Sequence, residues 1–329
     1  MGQVAQPAGP GGGSERSAAT ASRGGSGCPG PVAGGWRGPD ELLHVAGGES
    51  EARGLAALLG EQSFDPGIPN VARIYDALLG GKDNYAADRE AARRLVAAVP
   101  GAAHAARENR AFLARAVSFL AGEAGIRHFI DIGTGIPAGG HVHEIAQAAD
   151  LGTRVAYVDN DPVVVAHANA LLAGAPTVAV AHADVRNPRH LMTLPALRAL
   201  IDFDQPVAVL LVAVLHFVED SESPWAIARC ITGHLAAGSY LVVSHVTGDE
   251  ITADAARQAR EIYDGASAPG VTRSKDDIER FFDGLEMIPP GVVNVAAWRS
   301  GPRRSGTSGP ALFYAGIGRK TSGIPGRQQ

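Results

Sequence analysis

A repeated pattern of buried strand, turn and helix between Arg127 and Asp184 constrains the fold of this 329-residue chain more than any other feature. Its first unit is the strand-like segment R-H-F-I-D-I, which runs directly into the glycine turn G-T-G-I-P. The next two strand-like segments each end near an aspartate. Strands that alternate with helices in this way form a parallel sheet with right-handed crossovers. We therefore predict an α/β fold in which the turn and the acids lie at one edge of the sheet.

The same alternation continues along the chain and predicts further strands and helices. The predicted strands, each with the helix that follows it, are 127–132 and 139–149, 154–159 and 162–173, 176–182 and 189–200, 206–212 and 223–236, and 239–245 and about 250–264. A further helix is predicted at 274–283. The segments 291–298 and 311–318 are typical of a closing strand pair.

The N-terminal part of the chain differs in composition from the rest. Residues 1–40 hold 12 glycines and 5 prolines with few large apolar side chains, and such a segment cannot bury enough surface to offset the entropy of ordering it. We expect residues 1–60 to be disordered or loosely structured, although a later start of translation is a competing explanation. Residues 66–122 are expected to form helices, 123–320 the α/β domain and 321–329 a flexible tail.

The glycine turn and the acid before it favour S-adenosyl-L-methionine over NAD as the ligand. The turn satisfies a loose dinucleotide-binding pattern, which is weak evidence by itself. Pro137 lies where the next helix should begin and removes an N–H group that the pyrophosphate of NAD would use. Asp131 lies two residues before Gly133. An acid beside the exposed backbone donors of Gly133 and Gly135 suits the ammonium and carboxylate groups of S-adenosyl-L-methionine.

Two more acids at strand ends extend this predicted site. Asp159 ends the second strand, where a carboxylate can bind both hydroxyls of a ribose, and Asn160 follows it. Asp184 follows the third strand and can accept a hydrogen bond from the adenine amino group, with Ala183 and Val185 beside the ring. One such aspartate could equally be a helix N-cap or a turn residue. Three acids at consecutive strand ends are better explained by a ligand.

Six motifs carry a resemblance to a known family. They are P-N-V-A-R-I-Y-D-A-L-L-G-G-K-D-N-Y-A-A-D-R (69–89), D-I-G-T-G-I-P (131–137), Y-V-D-N-D-P (157–162), L-H-F-V (215–218), P-P-G-V-V (289–293) and Y-A-G-I-G-R-K (314–320). In these motifs the chain resembles the class I S-adenosylmethionine-dependent methyltransferases. More closely, it resembles a bacterial S-adenosyl methyltransferase family, abundant in actinomycetes and formerly a domain of unknown function. The resemblance covers roughly residues 66–320.

The resemblance implies both a fold and an activity. The fold would be a Rossmann-like class I methyltransferase fold, with a mostly parallel seven-stranded sheet whose last strand is antiparallel, preceded by N-terminal helices. The activity would be methyl transfer from S-adenosyl-L-methionine. The cofactor contacts would come from Asp131, Gly133, Gly135, Asp159 and Asp184. The broader class has a third glycine where this chain has I-P after the second, and the narrower family shares that departure.

A block of polar residues on both sides of Gly80-Gly81 provides further candidates for the site. The block consists of Arg73, Tyr75, Asp76, Lys82, Asp83, Asn84 and Tyr85. We expect it to belong to a lid over the methionine end of the cofactor, with Tyr75, Lys82 and Asn84 in contact with the cofactor and Tyr85 in a catalytic role. The alternative is a helix pair stabilised by its own salt bridges and C-cap.

His216 is the candidate catalytic base. It follows the fourth predicted strand, at the edge where ligands bind in open α/β sheets, and could deprotonate a hydroxyl or amine. The alternative, which we favour, is a histidine that is hydrogen-bonded to a backbone carbonyl. His245, after the fifth strand, is a weaker candidate for the same role. His141 and His143 lack further ligands at metal spacing, so no metal site is predicted.

Composition and charge limit the partners. The formal net charge of −5 gives no general attraction to nucleic acid or to an anionic membrane. The longest apolar run, 206–215, is too short to span a bilayer. The N-terminus lacks the basic start and apolar core of a secretory signal, so we expect a cytoplasmic protein. The sequence specifies no oligomeric state.

We therefore expect an enzyme that methylates a small-molecule acceptor, with a role in secondary metabolism. Methyl transfer depends mainly on alignment of the reacting groups, so a dedicated base is optional. A cofactor-binding module without turnover is an alternative that shares the same turn and acids. An NAD-dependent oxidoreductase is a second alternative, which Pro137, Asp184 and the closing strand pair disfavour.

Overall fold

The computed structural model describes a central sheet with helices on both faces. The described residues are 65–136, 139–172, 174–300 and 311–322. The prediction for residues 1–60 lies outside these ranges, as do Pro137, on which part of the argument against NAD depends, and residues 323–329 of the expected tail.

Helices and strands alternate after three N-terminal helices. The α-helices are α1 (Val71–Leu79), α2 (Ala86–Ala98), α3 (Ala102–Ser118), α4 (Val142–Gln147), α5 (Pro162–Leu172), α6 (Pro188–Thr193), α7 (Pro195–Leu200), α8 (Pro224–Gly233), α9 (Ala253–Asp264) and α10 (Lys275–Glu279). The strands are β1 (His128–Ile132), β2 (Arg154–Asp159), β3 (Val178–His182), β4 (Val207–Val212), β5 (Tyr240–Val246), β6 (Glu286–Met287), β7 (Val293–Asn294) and β8 (Phe313–Arg319).

The sheet has the predicted direction of its strands. The strand order is β3-β2-β1-β4-β5-β8-β6, and β7 also pairs with β8. Strands β1 to β5 are parallel, whereas β8 runs antiparallel to β5, β6 and β7. The predicted mostly parallel sheet with an antiparallel last strand is therefore confirmed. The order reverses between β1 and β4, which opens a crevice at the carboxyl ends of these two strands.

Two segments differ from the predicted boundaries because of proline and turn residues. The predicted strand 291–298 contributes only β7, and the unpredicted β6 also pairs with β8, so the described sheet has eight strands instead of seven. Pro289-Pro290-Gly291 separates β6 from β7, and prolines cannot donate to a strand ladder. The predicted helix 189–200 is two helices because Pro195 forces Leu194 into an extended conformation.

Both faces of the sheet are packed. Successive residues of β4 point to opposite faces, and Ala208 to Leu211 are all fully buried. On one face, Phe112 of α3 packs edge-to-face against Trp298 with ring centroids 5.5 Å apart. Both side chains belong to the buried core on that face of the sheet, so this contact holds α3 against the sheet.

The carboxylate of Asp88 fastens the start of α1 to the start of α2. Asp88 is fully buried, and it accepts hydrogen bonds from the backbone N–H groups of Asn70 and Tyr85, at 2.9 and 2.8 Å. The buried Nε of Arg73 donates to the same carboxylate at 2.8 Å. Hydrogen bonds of this kind compensate the loss of hydration that burying a charged pair entails. One carboxylate thus holds the N-terminal ends of both helices together.

Replacing Asp88 by asparagine should destabilise the protein strongly. Removal of the charge would leave the Arg73 guanidinium buried without its carboxylate partner, which costs about 3–5 kcal/mol for a buried ion pair. Unfolding in urea, monitored by circular dichroism, measures the change in the free energy of unfolding. Glu90→Gln is the matched control, because Glu90 lies on the same helix in an exposed pair with Arg93, and it should unfold like wild type. Equal midpoints for Asp88→Asn and wild type would contradict this account.

Candidate cofactor and active site

A cavity of about 430 Å³ opens at the carboxyl ends of β1 to β4. This volume lies within the range of small-molecule sites. One side is formed by the turns after these strands, and the other by residues 68–73 and by α1 and α3. The predicted cofactor residues that line it are Tyr75, Asp131, Gly133, Gly135, Asp159, Asn160, Asp184 and Val185.

The glycine turn after β1 requires glycine at its first position. Gly133 has a φ of +70°, which disfavours other residues, and a Cβ at this position would lie 2.4 Å from a methyl group of Val214. Gly135 also has a positive φ, of +66°, but a Cβ there would meet nothing within 4 Å. The turn is therefore packed against the chain after β4 at Gly133 and faces open space at Gly135.

The turn also orients the carboxylate of Asp159. The N–H of Gly135 donates to one carboxylate oxygen of Asp159 and the N–H of Asp161 donates to the other, both at 2.9 Å. Each carboxylate oxygen can accept a second hydrogen bond, so this side chain can still bind two hydroxyl groups. Asp159 is buried at the end of β2, where sequence analysis places a ribose.

Asp184 is held in place beside the cavity by Arg186. Its carboxylate accepts from the backbone N–H of Arg186 at 2.8 Å and pairs with the guanidinium at 3.1 Å. The side-chain amide of Asn160 lies 3.4 Å from the same carboxylate. Ala183 and Val185 are buried on either side of it and line the cavity. A carboxylate and two apolar residues thus lie together at the cavity, and their contact with an adenine ring remains a prediction.

Burial raises the pKa of two of the acids towards neutral pH. It raises the pKa of Asp131 to about 6, although the charge of Arg110 and a hydrogen bond from Thr134 act in the opposite direction. It also raises the pKa of Asp159 to about 6, where the two backbone N–H groups oppose the shift. A cationic or hydroxyl-bearing ligand would favour the ionised forms. A ligand that donates to these carboxylates would therefore stabilise their ionised forms.

Arg110 and Asn109 of α3 are cavity residues that sequence analysis missed. Both line the cavity, and the charge of Arg110 lies close enough to Asp131 to lower its pKa. Asn109 is almost fully buried and donates to the hydroxyl of Tyr75 at 2.9 Å. Its Oδ1 has no hydrogen-bond partner among the described residues. An asparagine on the helix face that carries Phe112 was a signal of this site, since buried polar groups need partners.

Tyr75 lines the cavity within a small hydrogen-bond network, and its contact with the cofactor remains a prediction. Its hydroxyl donates to the backbone carbonyl of Ala106 at 3.0 Å and accepts from Asn109. Burial raises the pKa of the Tyr75 phenol, so the hydroxyl is neutral at neutral pH. The network fixes α1 against α3 at the wall of the cavity.

The second half of the polar block is placed elsewhere. Lys82, Asn84 and Tyr85 are not among the described residues that line the cavity. Asn84 is buried and donates to the Asp76 carboxylate at 2.7 Å, which closes the turn between α1 and α2. Lys82 is exposed, and Tyr85 is 42% exposed with its ring against the guanidinium of Arg73. The cofactor and catalytic roles of these three residues remain predictions.

His216 lies in the interior beside the cavity. Of the part of the chain that the structure describes, Val214, Phe217 and Val218 line the cavity at this point but His216 does not. The His216 ring packs 4.2 Å from that of Phe217, and its Nδ1 has no hydrogen-bond partner there. Burial, with the nearby charge of Arg273, lowers the pKa of His216 well below its ordinary value. The imidazole is therefore neutral, and its role as a base remains a prediction.

His245 has a structural environment. Its Nδ1 donates to the carbonyl of Val246 at 2.6 Å, and its Nε2 accepts from the Arg273 guanidinium at 2.7 Å. Burial lowers the pKa of His245 to about 3, and the charge of Arg273 contributes. Arg273 also donates to the carbonyls of Leu215 and Val218, so it ties the chain after β4 to the loop before α10.

His141 and His143 form a stacked pair at the start of α4. Their ring centroids are 5.5 Å apart, and Nδ1 of His143 lies 2.8 Å from the hydroxyl of Tyr157. Within the described ranges, no group of three or more histidines, cysteines or acids is placed to hold a metal ion. Nor does any helix in these ranges combine the length and the apolar character needed to cross a membrane.

Comparison with known proteins identifies relatives of this arrangement. Residues 59–321 match the model of a family described as S-adenosyl methyltransferase. Among solved structures, a candidate methyltransferase from Thermobifida fusca YX is 41% identical, with a TM-score of 0.73 over 78% of this chain and 96% of that chain. A DUF574 family protein from Streptomyces avermitilis MA-4680 is 38% identical, with a TM-score of 0.73 over 78% of this chain and 99% of that one. No curated protein matches the chain. The predicted family resemblance is confirmed.

Replacing Asp131 by asparagine should change how stability depends on pH. The folded-state pKa of about 6 lies above that of an unfolded aspartate, so protonation of Asp131 stabilises the folded protein as the pH falls through 6. The free energy of unfolding of the variant minus that of wild type should therefore be larger at about pH 7.5 than at about pH 5, by about 1.4 kcal/mol.

Urea denaturation of both proteins at the two pH values measures this difference. Asp204→Asn serves as the control because Asp204 is exposed and does not line the cavity. A difference between Asp131→Asn and wild type that does not vary with pH would contradict the raised pKa.

Proposed function

This chain belongs to the S-adenosyl methyltransferase family, and we propose that it transfers the methyl group of S-adenosyl-L-methionine to a small-molecule acceptor. The observation that carries the proposal is the single cavity shared by the glycine turn, three strand-end acids and the N-terminal helices. The acids would bind the methyl donor, and the helices form the wall of the cavity on the side away from the sheet.

Two features of the cavity support its fit to the cofactor. Space is open at Gly135, where a bound molecule can approach the backbone. The buried Oδ1 of Asn109 has no partner among the described residues, which an ammonium group of a ligand would satisfy. We assign the ammonium to Asp131 and to the amide oxygen of Asn109, which can both accept from it, and the carboxylate to the guanidinium of Arg110.

The remaining cofactor contacts follow the order of the strands. The Asp159 carboxylate is assigned to the ribose hydroxyls, and its two backbone hydrogen bonds support that orientation. Asp184 is assigned to the adenine amino group, with Val185 and Ala183 against the ring. These residues would hold the donor along the carboxyl ends of β1, β2 and β3.

The acceptor is proposed to be small because of the size and charge of the site. The cavity of about 430 Å³ must also hold the donor, so little space is left between the sheet edge and α1. A nucleic-acid substrate is disfavoured by the net charge of −5, because binding to a phosphate backbone depends on basic residues. A cytoplasmic location and a role in secondary metabolism remain predictions from the sequence.

The chemistry asks for alignment more than for proton transfer. When bound, S-adenosyl-L-methionine would supply a methyl carbon attached to a sulfonium. The acceptor's nucleophile would bond to that carbon in line as its bond to sulfur breaks, with S-adenosylhomocysteine as the leaving group. The chain's part is to fix the donor through its acids and to exclude water through α1 and α3; good orientation alone can supply about 7–11 kcal/mol. Burial lowers the pKa of His216 well below its ordinary value, which makes it a weak base, and it does not line the cavity. We therefore propose that His216 does not take the acceptor's proton, which passes to bulk solvent.

Calorimetry on wild type and Asp159→Ala tests this function. We expect S-adenosylmethionine and S-adenosylhomocysteine to bind wild type and to bind Asp159→Ala about tenfold more weakly or worse, because the ribose loses a charged acceptor. Asp204→Ala, at an exposed site outside the cavity lining, should bind like wild type. Tight binding of NAD with no heat from S-adenosylmethionine would overturn the proposal. Transfer of a labelled methyl group to a metabolite mixture then distinguishes an enzyme from a cofactor-binding module without turnover.

A further inference from the structure

The side chain of Asn70 joins helix α1 to the turn after β2. Its Oδ1 caps α1 by accepting from the backbone N–H groups of Ala72 and Arg73, at 2.9 and 3.2 Å. Its Nδ2 donates to the carboxylate of Asp161, which lies 91 residues further along the chain. One side-chain amide therefore caps the N-terminal end of a helix and binds a distant acid.

Asp161 connects this amide directly to the acid assigned to the ribose. The backbone N–H of Asp161 donates to Asp159, and the Oδ1 of Asp161 accepts from the N–H of Val163 at 2.7 Å. Its Oδ2 accepts from Asn70. Asn70, Asp159 and Asp161 all line the cavity. A shift of Asp161 would thus move a donor on which the orientation of Asp159 depends.

The segment before α1 is also fastened at a second place. The N–H of Val71 donates to the hydroxyl of Ser267 at 3.1 Å, and the N–H of Ser267 donates to the carbonyl of Pro69 at 3.0 Å. These bonds, and the bond from the backbone N–H of Asn70 to Asp88, do not involve the side-chain amide of Asn70. Loss of the amide contact should therefore leave α1 in place and affect the ribose side of the cavity.

We infer that Asn70 is a positioning residue, which sets the ribose-binding turn through Asp161 and closes α1 against it. The inference rests on the proposed function, since it concerns the binding of the same cofactor. Serine or aspartate could cap α1 as well as asparagine does. Only asparagine among these also supplies an amide N–H to a carboxylate, because serine is too short and aspartate would oppose Asp161 with a like charge.

A charge swap between the two positions tests the inference. Asn70→Asp keeps the helix cap but removes the amide donor, so we expect affinity for S-adenosylhomocysteine to fall about tenfold. Asn70→Asp combined with Asp161→Asn restores a carboxylate–amide pair with the groups exchanged. The double variant should therefore recover affinity to within about threefold of wild type. Isothermal calorimetry gives the affinities, and thermal unfolding without ligand gives the stability of each protein.

Two further variants make the result decisive. Asn187→Asp is the matched control, because Asn187 caps α6 at an exposed site outside the cavity lining, and it should leave affinity unchanged. Asn70→Ser keeps a cap without adding charge. Its affinity is measured in place of that of Asn70→Asp if Asn70→Asp does not fold. Wild-type affinity in the single variant measured, Asn70→Asp or Asn70→Ser, would overturn the inference. Failure of the double variant to restore binding would also overturn it. Absence of binding by wild type would instead overturn the proposed function.

Discussion

The buried carboxylate of Asp88 is the interaction on which the geometry of the cavity depends most. It holds the backbone of Asn70 and the guanidinium of Arg73, and so fixes where α1 begins. From that position the Asn70 amide reaches Asp161, and Tyr75 reaches the hydroxyl network with Asn109. The sheet alone would leave its acids open to water. The helix that Asp88 holds in place turns the sheet edge into a cavity.

Without a ligand, the cavity lowers the stability of the folded protein because it buries two acids whose pKa is raised. Asp131 and Asp159 are both buried, and desolvation dominates the pKa of each. In the free protein their ionisation at neutral pH is therefore unfavourable compared with an exposed acid. An ammonium group and two ribose hydroxyls would compensate part of that cost, which couples cofactor binding to stability.

The sequence predicted the half of the site that follows from local rules. Glycine turns and strand-end acids meet at one edge of any parallel sheet, so Asp131, Asp159 and Asp184 could be placed together without a structure. Asn70, Asp161 and Arg110 could not, because their roles depend on contacts between segments far apart in the chain. Local reasoning also placed Lys82, Asn84 and Tyr85 near the cofactor, whereas the turn between α1 and α2 uses Asn84 for its own hydrogen bonds.

A crystal structure of the protein with S-adenosylhomocysteine tests the central claim most directly. The account predicts the ribose hydroxyls on Asp159, the adenine amino group on Asp184 and the amino-acid group between Asp131 and Arg110, with the contact between Asn70 and Asp161 intact. The ligand bound elsewhere, or bound in the cavity with its ribose away from Asp159, would contradict it.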